Sequence, residues 1–260
     1  MYIKPYDELT IQDNFIFQKV MRNKRICKQT IERLLDIDIK DISYPEEEKS
    51  INVRLDSKSI RLDVYVNDDR GTVFNIEMQT TKDMDELVKR TRYYQGLIDI
   101  DNIEKGQNYS ALHDTYIIFI CTFGVFTGKR HKYTFRNLCI EDNEILLNDG
   151  TTKLFLSTKG EADDVSKPLK MFLDYVDGKK PEDALMQEID HEVDTVKHCD
   201  EWRRDYMTLA LEMDKKWREG KAEGKIEAIR NAIKDGLTTL AAVKKSGRYT
   251  EEEIAAIAAP

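Results

Sequence analysis

The sequence predicts an α/β protein, with a mixed β-sheet core flanked by helices and an all-helical C-terminal extension. Three observations carry this. Over residues 60–79 apolar residues recur at every second position, the strand period, in two runs around a turn-forming stretch. TYIIFICTF (Thr115 to Phe123) is a continuous apolar run, as expected of a central strand covered on both faces. After Val165 the spacing is helical almost throughout, and from Ala184 to Gly236 charged residues dominate it.

In chain order, Ile11 to Leu35 has helical spacing, with Phe15, Val20, Met21, Ile31 and Leu34 inward and Lys19, Arg22, Lys24, Arg25 and Lys28 outward. Asp13 suits the start of that helix, by capping or by its charge. Residues 36–48 are irregular. In IRLDVYV, Ile60, Leu62, Val64 and Val66 point one way and Arg61, Asp63 and Tyr65 the other. Asn67-Asp68-Asp69-Arg70-Gly71 is a turn by composition. In TVFNIEMQ, Phe74, Ile76 and Met78 form the apolar face, and Val73, Asn75, Glu77 and Gln79 the opposite one. Lys82 to about Ile100 is a helix with Met84, Leu87, Thr91, Tyr94 and Ile98 on one stripe, flanked by Lys89, Arg90 and Arg92. After the apolar run come two shorter strands, near Glu144 (EILL) and near Lys153 (KLFLS), with a turn at Asn148-Asp149-Gly150. A helix break falls at Asp177-Gly178. A long solvated helix then leads to two short helices around Ser246-Gly247, the second with a capping box at Thr250 to Glu253. Two domains result, residues 1–180 for the sheet and 181–260 for the extension.

Bulk properties narrow the function. The 260 residues allow one sizeable core plus an appendage, and 35% charged residues with a formal charge of −8 make the chain polar and acidic. That balance argues against a scaffold coating itself in nucleic acid; contact with a polyanion must come from local basic patches. Lys89, Arg90 and Arg92 form one such patch, and Lys129, Arg130 and Lys132 another. Cys27, Cys121, Cys139 and Cys199 are widely spaced with no CxxC pair, as expected of reduced thiols. There is no apolar leader at the N-terminus and no window of membrane-spanning length, so a cytoplasmic protein without membrane contact is expected. His191 and His198 lie seven apart near Glu188 and Asp194, with no further ligands to close a metal shell. The terminal helix pair is a poor helix-turn-helix, because Glu251, Glu252 and Glu253 would face phosphates.

The constellation with chemical content lies on the two paired strands. Glu77 and Gln79 share a strand face, and folding about residues 68–71 brings Asp63 beside Glu77 if both apolar faces are to be buried together. Two carboxylates across a strand pair repel unless a cation lies between them. A hard divalent ion such as Mg²⁺ suits the pair, completed by waters and a main-chain carbonyl, for which Met78 is the candidate. Such an ion activates water and neutralises charge on a phosphoryl group. Gln79 is able to orient that water but, unlike lysine, carries no charge.

Asp63 followed by Glu77-Met78-Gln79 resembles the PD-(D/E)XK nuclease signature with Gln in place of the final Lys. The chain resembles more particularly the bacterial recombination-promoting nuclease and transposase family of that superfamily, through DNFIFQKVM at Asp13, RLDVYV at Arg61, NIEMQ at Asn75, KRTRYYQGLID at Lys89, YTFRNLC at Tyr133 and LNDGTTKLFLSTKG at Leu147. The resemblance implies a restriction-endonuclease-like core and a DNA endonuclease dependent on Mg²⁺ or Mn²⁺. It implies Asp63 and Glu77 as metal ligands and Gln79 as the third signature residue. Gln95, in a Tyr-Gln pair, is expected to approach the site, and Asp13 stands where similar folds carry an accessory acid. The chain departs from the pattern at Gly124-Val125, where similar proteins have Asp-Pro. A different outcome is an idle relative that binds nucleic acid or a partner through its tail. In that tail Leu209, Met213 and Trp217 are spaced by four, and such an apolar stripe on a long helix predicts a homodimer.

Overall fold

The computed structural model describes residues 2–44, 50–51 and 60–259; at positions 50, 51, 60 and 61 only the backbone is described. Residues 7–199 form one compact unit, and residues 2–6 with 200–259 form a second.

The first unit is built on a six-stranded mixed sheet. Its strands are β1 (Ile42–Ser43), β4 (Val64–Asp68), β5 (Val73–Gln79), β6 (Thr115–Cys121), β7 (Lys132–Phe135) and β8 (Thr151–Ser157), in the order β1-β4-β5-β6-β8-β7. β5, β6 and β8 run parallel, while β1, β4 and β7 pair antiparallel with their neighbours. A separate two-strand ladder joins β2 (Ser50–Ile51) to β3 (Ile60–Arg61). The helices of this unit are α1 (Asn14–Val20), α2 (Lys24–Leu35), α3 (Met84–Asn102), α4 (Lys167–Val176) and α5 (Ala184–Lys197), with a short 3₁₀ turn at Tyr109–Ala111. Helix α5, which the sequence reading assigns to the extension beyond residue 180, lies in this unit, packed on α1, α2 and α4.

Both faces of the sheet are covered. Helix α3 lies on one of them: Leu87, Tyr94, Leu97 and Ile98 pack with Tyr65, Val73, Ile117, Phe119, Cys121 and Phe155. On the other face Val64, Val66, Phe74, Ile76, Ile118, Ile120, Leu154 and Leu156 are buried, with α1 against β5. Each such aliphatic or aromatic side chain contributes roughly 1.5–3 kcal/mol on leaving water. The acid-bearing face of β5 is therefore not an open polar surface; β5 is buried on both sides.

Several expectations need correction. The single helix expected over 11–35 is two, because Asn23 caps α2 by accepting from Ile26 N–H, although the apolar spacing runs on across the break. Asp13 occupies the N-cap position of α1, yet its carboxylate turns back to Thr10, accepting from N at 2.7 Å and Oγ1 at 3.2 Å. Lys19, expected outward, is buried with its ammonium 5.3 Å from the Phe15 ring centroid. The run 60–66 is not one strand: β3 ends at Arg61 and β4 begins at Val64. This break shifts the alternation, so Leu62 joins Tyr65 in the core beneath α3 rather than lining up with Val64. The orientation expected for the Ile60 and Arg61 side chains lies outside the described residues. EILL near Glu144 forms no strand; a single bridge, Leu138 to Leu146, spans that loop. The strand is instead Lys132–Phe135, four residues that are too short to stand out by pattern, and β8 lies at KLFLS as expected.

In the second unit, α6 (Asp200–Lys234) runs 35 residues with none buried. The helical run from Ala184 is interrupted before it, at His198 and Cys199. α7 (Leu240–Lys245) and α8 (Glu251–Ala258) follow, and the capping box at Thr250 and Glu253 is formed. Lys225 pairs with Glu253 at 2.9 Å and Arg230 Nε donates to Ala256 O at 3.1 Å, fastening α8 to α6. No helix among the described residues is long and apolar enough to cross a membrane.

Candidate active site

The strand register sets the site. Val64 pairs with Ile76 and Tyr65 with Asn75, so the next step back along the chain places Asp63 against Glu77. Asp63 lies in the gap before β4, and the two acids bridge that gap reciprocally. The Asp63 N–H donates to Glu77 Oε1 at 3.2 Å, and the Met78 N–H donates to Asp63 Oδ2 at 3.1 Å. Two backbone donors that a continuous ladder would satisfy are thus held by carboxylates. From α1, Gln18 Nε2 donates to Asp63 Oδ1 at 2.8 Å. Asn75, with its amide nitrogen facing Val64 O and Glu77 Oε1, donates to each at 3.2 Å.

Glu77 is 2% exposed. Burial and then the neighbouring Asp63 charge push its pKa well above the ordinary carboxylate range, and Arg90 offsets part of this. Arg90 comes from α3, which lies over this face of the sheet. Its Nη1 donates to Gln79 Oε1 at 3.1 Å, and its Nη2 to Glu77 Oε2 at 3.4 Å and to Tyr94 Oη at 2.8 Å. The guanidinium carbon stands 5.2 Å from the Tyr94 ring centroid and 5.6 Å from that of Phe119. Burial, followed by the Glu77 charge, pushes the Tyr94 hydroxyl up to about 12, so it remains a neutral donor and acceptor.

Asp63, Glu77, Gln79 and Arg90 are therefore brought together, with Met78 contributing through its main chain. Gln95 is not joined to them by a hydrogen bond among the described residues: its Nε2 donates to Asp99 at 2.8 Å, and its buried Oε1 has no partner. The Asp13 carboxylate accepts from Thr10. Lys89 and Arg92 are exposed on the outer side of α3. Lys129 and Arg130 are exposed too, each near an acid: Lys129 pairs with Glu161 at 2.7 Å and Arg130 lies 3.7 Å from Asp164. They precede β7, at the same end of the sheet as Gln79, because Gln79 pairs with Cys121, Cys121 with Ser157, and Lys132 with Leu156. Three strand spacings, about 14 Å, separate β7 from β5. At that end Gly124 is exposed just past β6, with no side chain to supply an acid.

The sequence reading missed Gln18 and the roles of Asn75 and Tyr94. Asn75 carried a signal, being on the face of Glu77; Gln18 carried none, since nothing in α1 marks the side chain nearest a strand gap.

A divalent ion fits this donor set. Two hard carboxylates of like charge are held side by side on buried backbone, and what remains of a shell would come from main-chain oxygen, water or substrate. Among the described residues no group of three or more His, Cys, Asp or Glu forms an alternative centre. The buried thiols of Cys27 and Cys121 are pushed by burial to about 12, which keeps them protonated and inert.

A mixed sheet carrying Asp63 just before one strand of an antiparallel pair, and Glu77-Met78-Gln79 at the end of the other, defines a nuclease-type core. Residues 14–158 match the family described as PD-(D/E)XK nuclease family transposase, and the chain belongs to that family. No curated protein and no solved structure matches the chain.

Proposed function

We propose that this protein is a metal-dependent DNA endonuclease of low sequence specificity, acting in recombination, mobile-element or phage-defence settings in the cytoplasm. The observation that carries the reading is the reciprocal pairing of Asp63 and Glu77, in which two carboxylates are placed together where burial penalises the Glu77 charge. Asp63, Glu77 and the main-chain oxygen of Met78 would hold Mg²⁺ or Mn²⁺. When bound, such an ion supplies a more acidic water and neutralises charge on the phosphoryl oxygens. Gln18 and the Met78 N–H fix the Asp63 carboxylate, while Asn75 and the Asp63 N–H fix that of Glu77. Both acids are thus oriented before any ligand arrives. Gln79 presents an amide beside Glu77 to orient water. Lys89 and Arg92 on α3, with Lys129 and Arg130 before β7, would meet the DNA backbone as point charges, adding affinity without sequence choice. Gln95 would support α3 beneath the site.

The exposed Met207, Leu211, Met213 and Trp217 on α6 favour a homodimer through the C-terminal helices, since none of that helix is buried within the chain. Sedimentation at increasing concentration tests this: dimer mass lost in Leu211→Ser with Trp217→Ser is expected.

Plasmid cleavage tests the activity. Metal-dependent nicking should fall by more than about 100-fold in Asp63→Ala and in Glu77→Ala, because losing a ligand exceeds the 10–100-fold typical of losing a ligand's supporting partner. Equal residual cleavage in wild type and both variants would refute the assignment and favour a protein that binds nucleic acid or a partner through its helical tail.

A further inference from the structure

The geometry points to Arg90 as the cationic catalytic residue of this site, taking from helix α3 the part that a lysine at position 79 would take from the strand. The inference rests on the nuclease reading above. The family's name ends its signature in K, and this chain has Gln79 there. Asp63, Glu77 and Gln79 together supply two acids and one neutral amide, so these three residues contribute no positive charge to stabilise a phosphoryl group under attack. Among the described residues, Arg90 is the cation that bonds Glu77.

The placement of Arg90 is specific. Its fork spans Gln79 Oε1 at 3.1 Å and Glu77 Oε2 at 3.4 Å, and Tyr94 Oη accepts at 2.8 Å. Tyr94 and Phe119 wall the guanidinium. A guanidinium has five N–H donors. Three are used in these bonds, which leaves one on Nη1 and the one on Nε. The side chain is 26% exposed, so the unused donors are not sealed into the core. Gln79 is then a bracket for Arg90: its amide oxygen accepts from Nη1 and turns the rest of the fork toward solvent.

In hydrolysis the water oxygen bonds to phosphorus and one P–O ester bond breaks. One water proton ends on the departing oxygen and the other is released, leaving a hydroxyl end and a phosphate end with no change in oxidation state. Negative charge builds on the phosphoryl oxygens between these events, and the free N–H groups of Arg90 donate to them. Such preorganised donors act most strongly where the developing charge is greatest. Arginine remains protonated throughout, so it donates hydrogen bonds and moves no proton.

The test compares wild type, Arg90→Ala, Arg90→Gln, Arg90→Lys and the double variant Arg90→Ala with Gln79→Lys. Plasmid cleavage is measured alongside Mn²⁺ binding by electron paramagnetic resonance without DNA. Arg90→Ala and Arg90→Gln should each lose about 100-fold in turnover, in the range for removing one charge-stabilising donor, with Mn²⁺ affinity within about threefold of wild type. Arg90→Lys should retain part of the rate. Restoring a cation on the strand by Gln79→Lys should recover at least about tenfold over Arg90→Ala. Turnover within threefold of wild type in Arg90→Gln overturns the inference. So does a loss of rate matched by an equal loss of Mn²⁺ affinity, which would make Arg90 only a brace for Glu77. Failure of Gln79→Lys to recover any rate overturns it as well. A wild type that binds no Mn²⁺ and cleaves nothing removes the nuclease reading and this inference together, whereas a wild type that cleaves regardless of Arg90 removes the inference alone.

Discussion

The sheet unit and helix α6 are both rich in charge, yet they treat it in opposite ways. In the sheet unit Glu77 and His131 are buried, and each has partners from other elements: Glu77 from β5 meets Arg90 of α3, and His131 meets Asp164. In α6 Asp214 pairs with Arg218 one turn away at 2.7 Å, Lys225 reaches Glu253 of α8 at 2.9 Å, and no residue of the helix is buried. Exposed pairs of that kind contribute about 0.3–0.5 kcal/mol each. A charge in the sheet unit is costly to place and sensitive to change, and one in α6 is cheap and replaceable. The difference extends to residues with no charge. A side chain added at Gly160 would meet His131 Cγ and the His131 backbone N at 2.5 Å, whereas one added at Gly220 or Gly224 would meet nothing within 4 Å.

The largest effect that sharpens this contrast is expected at Gly160. Gly160→Ala has to move either the His131 ring or its main chain, and His131 is held by Ala162 O at 2.9 Å and by Asp164 at 3.1 Å. Overpacking against a fixed neighbour should cost about 3 kcal/mol of unfolding free energy, read from urea denaturation at unchanged m-value. A loss below roughly 0.5 kcal/mol, the usual limit for surface changes, would show the turn to be as permissive as α6.

Glu77 provides a second, smaller test through pH. Its folded pKa lies above the unfolded value, so the fold holds the proton more tightly than the unfolded chain does. The stability linked to the protonated form is complete below the unfolded value and is lost as pH rises through the folded one. Glu77→Gln keeps the shape and removes the charge. Its advantage over wild type should be absent at acid pH and grow to about 1–2 kcal/mol above the folded pKa, within the range of single stabilising changes. Thermal melts from acid to neutral pH check this. Added Mg²⁺ should then raise the melting temperature of wild type and not that of Glu77→Gln, because binding to the folded state alone is stabilising. No divergence with pH would mean that Arg90 fully compensates the buried charge.

Legibility in the sequence follows the same division. The strand register is legible because two apolar faces have to be buried together, and that requirement alone sets Asp63 beside Glu77. The parallel strand at Thr115–Cys121 is legible because seven nearly uniform apolar residues suit little else. The break between α1 and α2 is hidden because Met21 and Ile26 continue the apolar spacing on either side of Asn23. β7 is hidden because its alternation of Lys132 and Thr134 with Tyr133 and Phe135 lasts only four residues, and its place at the sheet edge depends on β8 rather than on itself. Periodicity places Arg90 beside the inward stripe of α3, which is correct for its backbone. What periodicity does not contain is how far a long side chain reaches, and the guanidinium ends among Glu77, Gln79 and Tyr94. The fold is written in patterns of apolar residues; the site depends on individual reaches between elements distant in sequence.

The smallest effect expected runs the other way. Gly220 and Gly224 lie inside α6, with no positive φ and open space around the position a Cβ would take. Glycine in a helix interior costs about 0.5–1 kcal/mol relative to alanine, mostly through the freedom of the unfolded chain. Gly224→Ala should therefore stabilise α6 by about that amount, seen as increased helical circular dichroism on warming and slower amide exchange along residues 215–234. The gain should appear without any change in the stability of the sheet unit, since the two substitutions Gly160→Ala and Gly224→Ala act on separate compact units and should add independently. Loss of stability in Gly224→Ala would mean that a second chain approaches α6 closely enough to require the bare backbone, which would locate the dimer contact at these glycines rather than at Leu211 and Trp217.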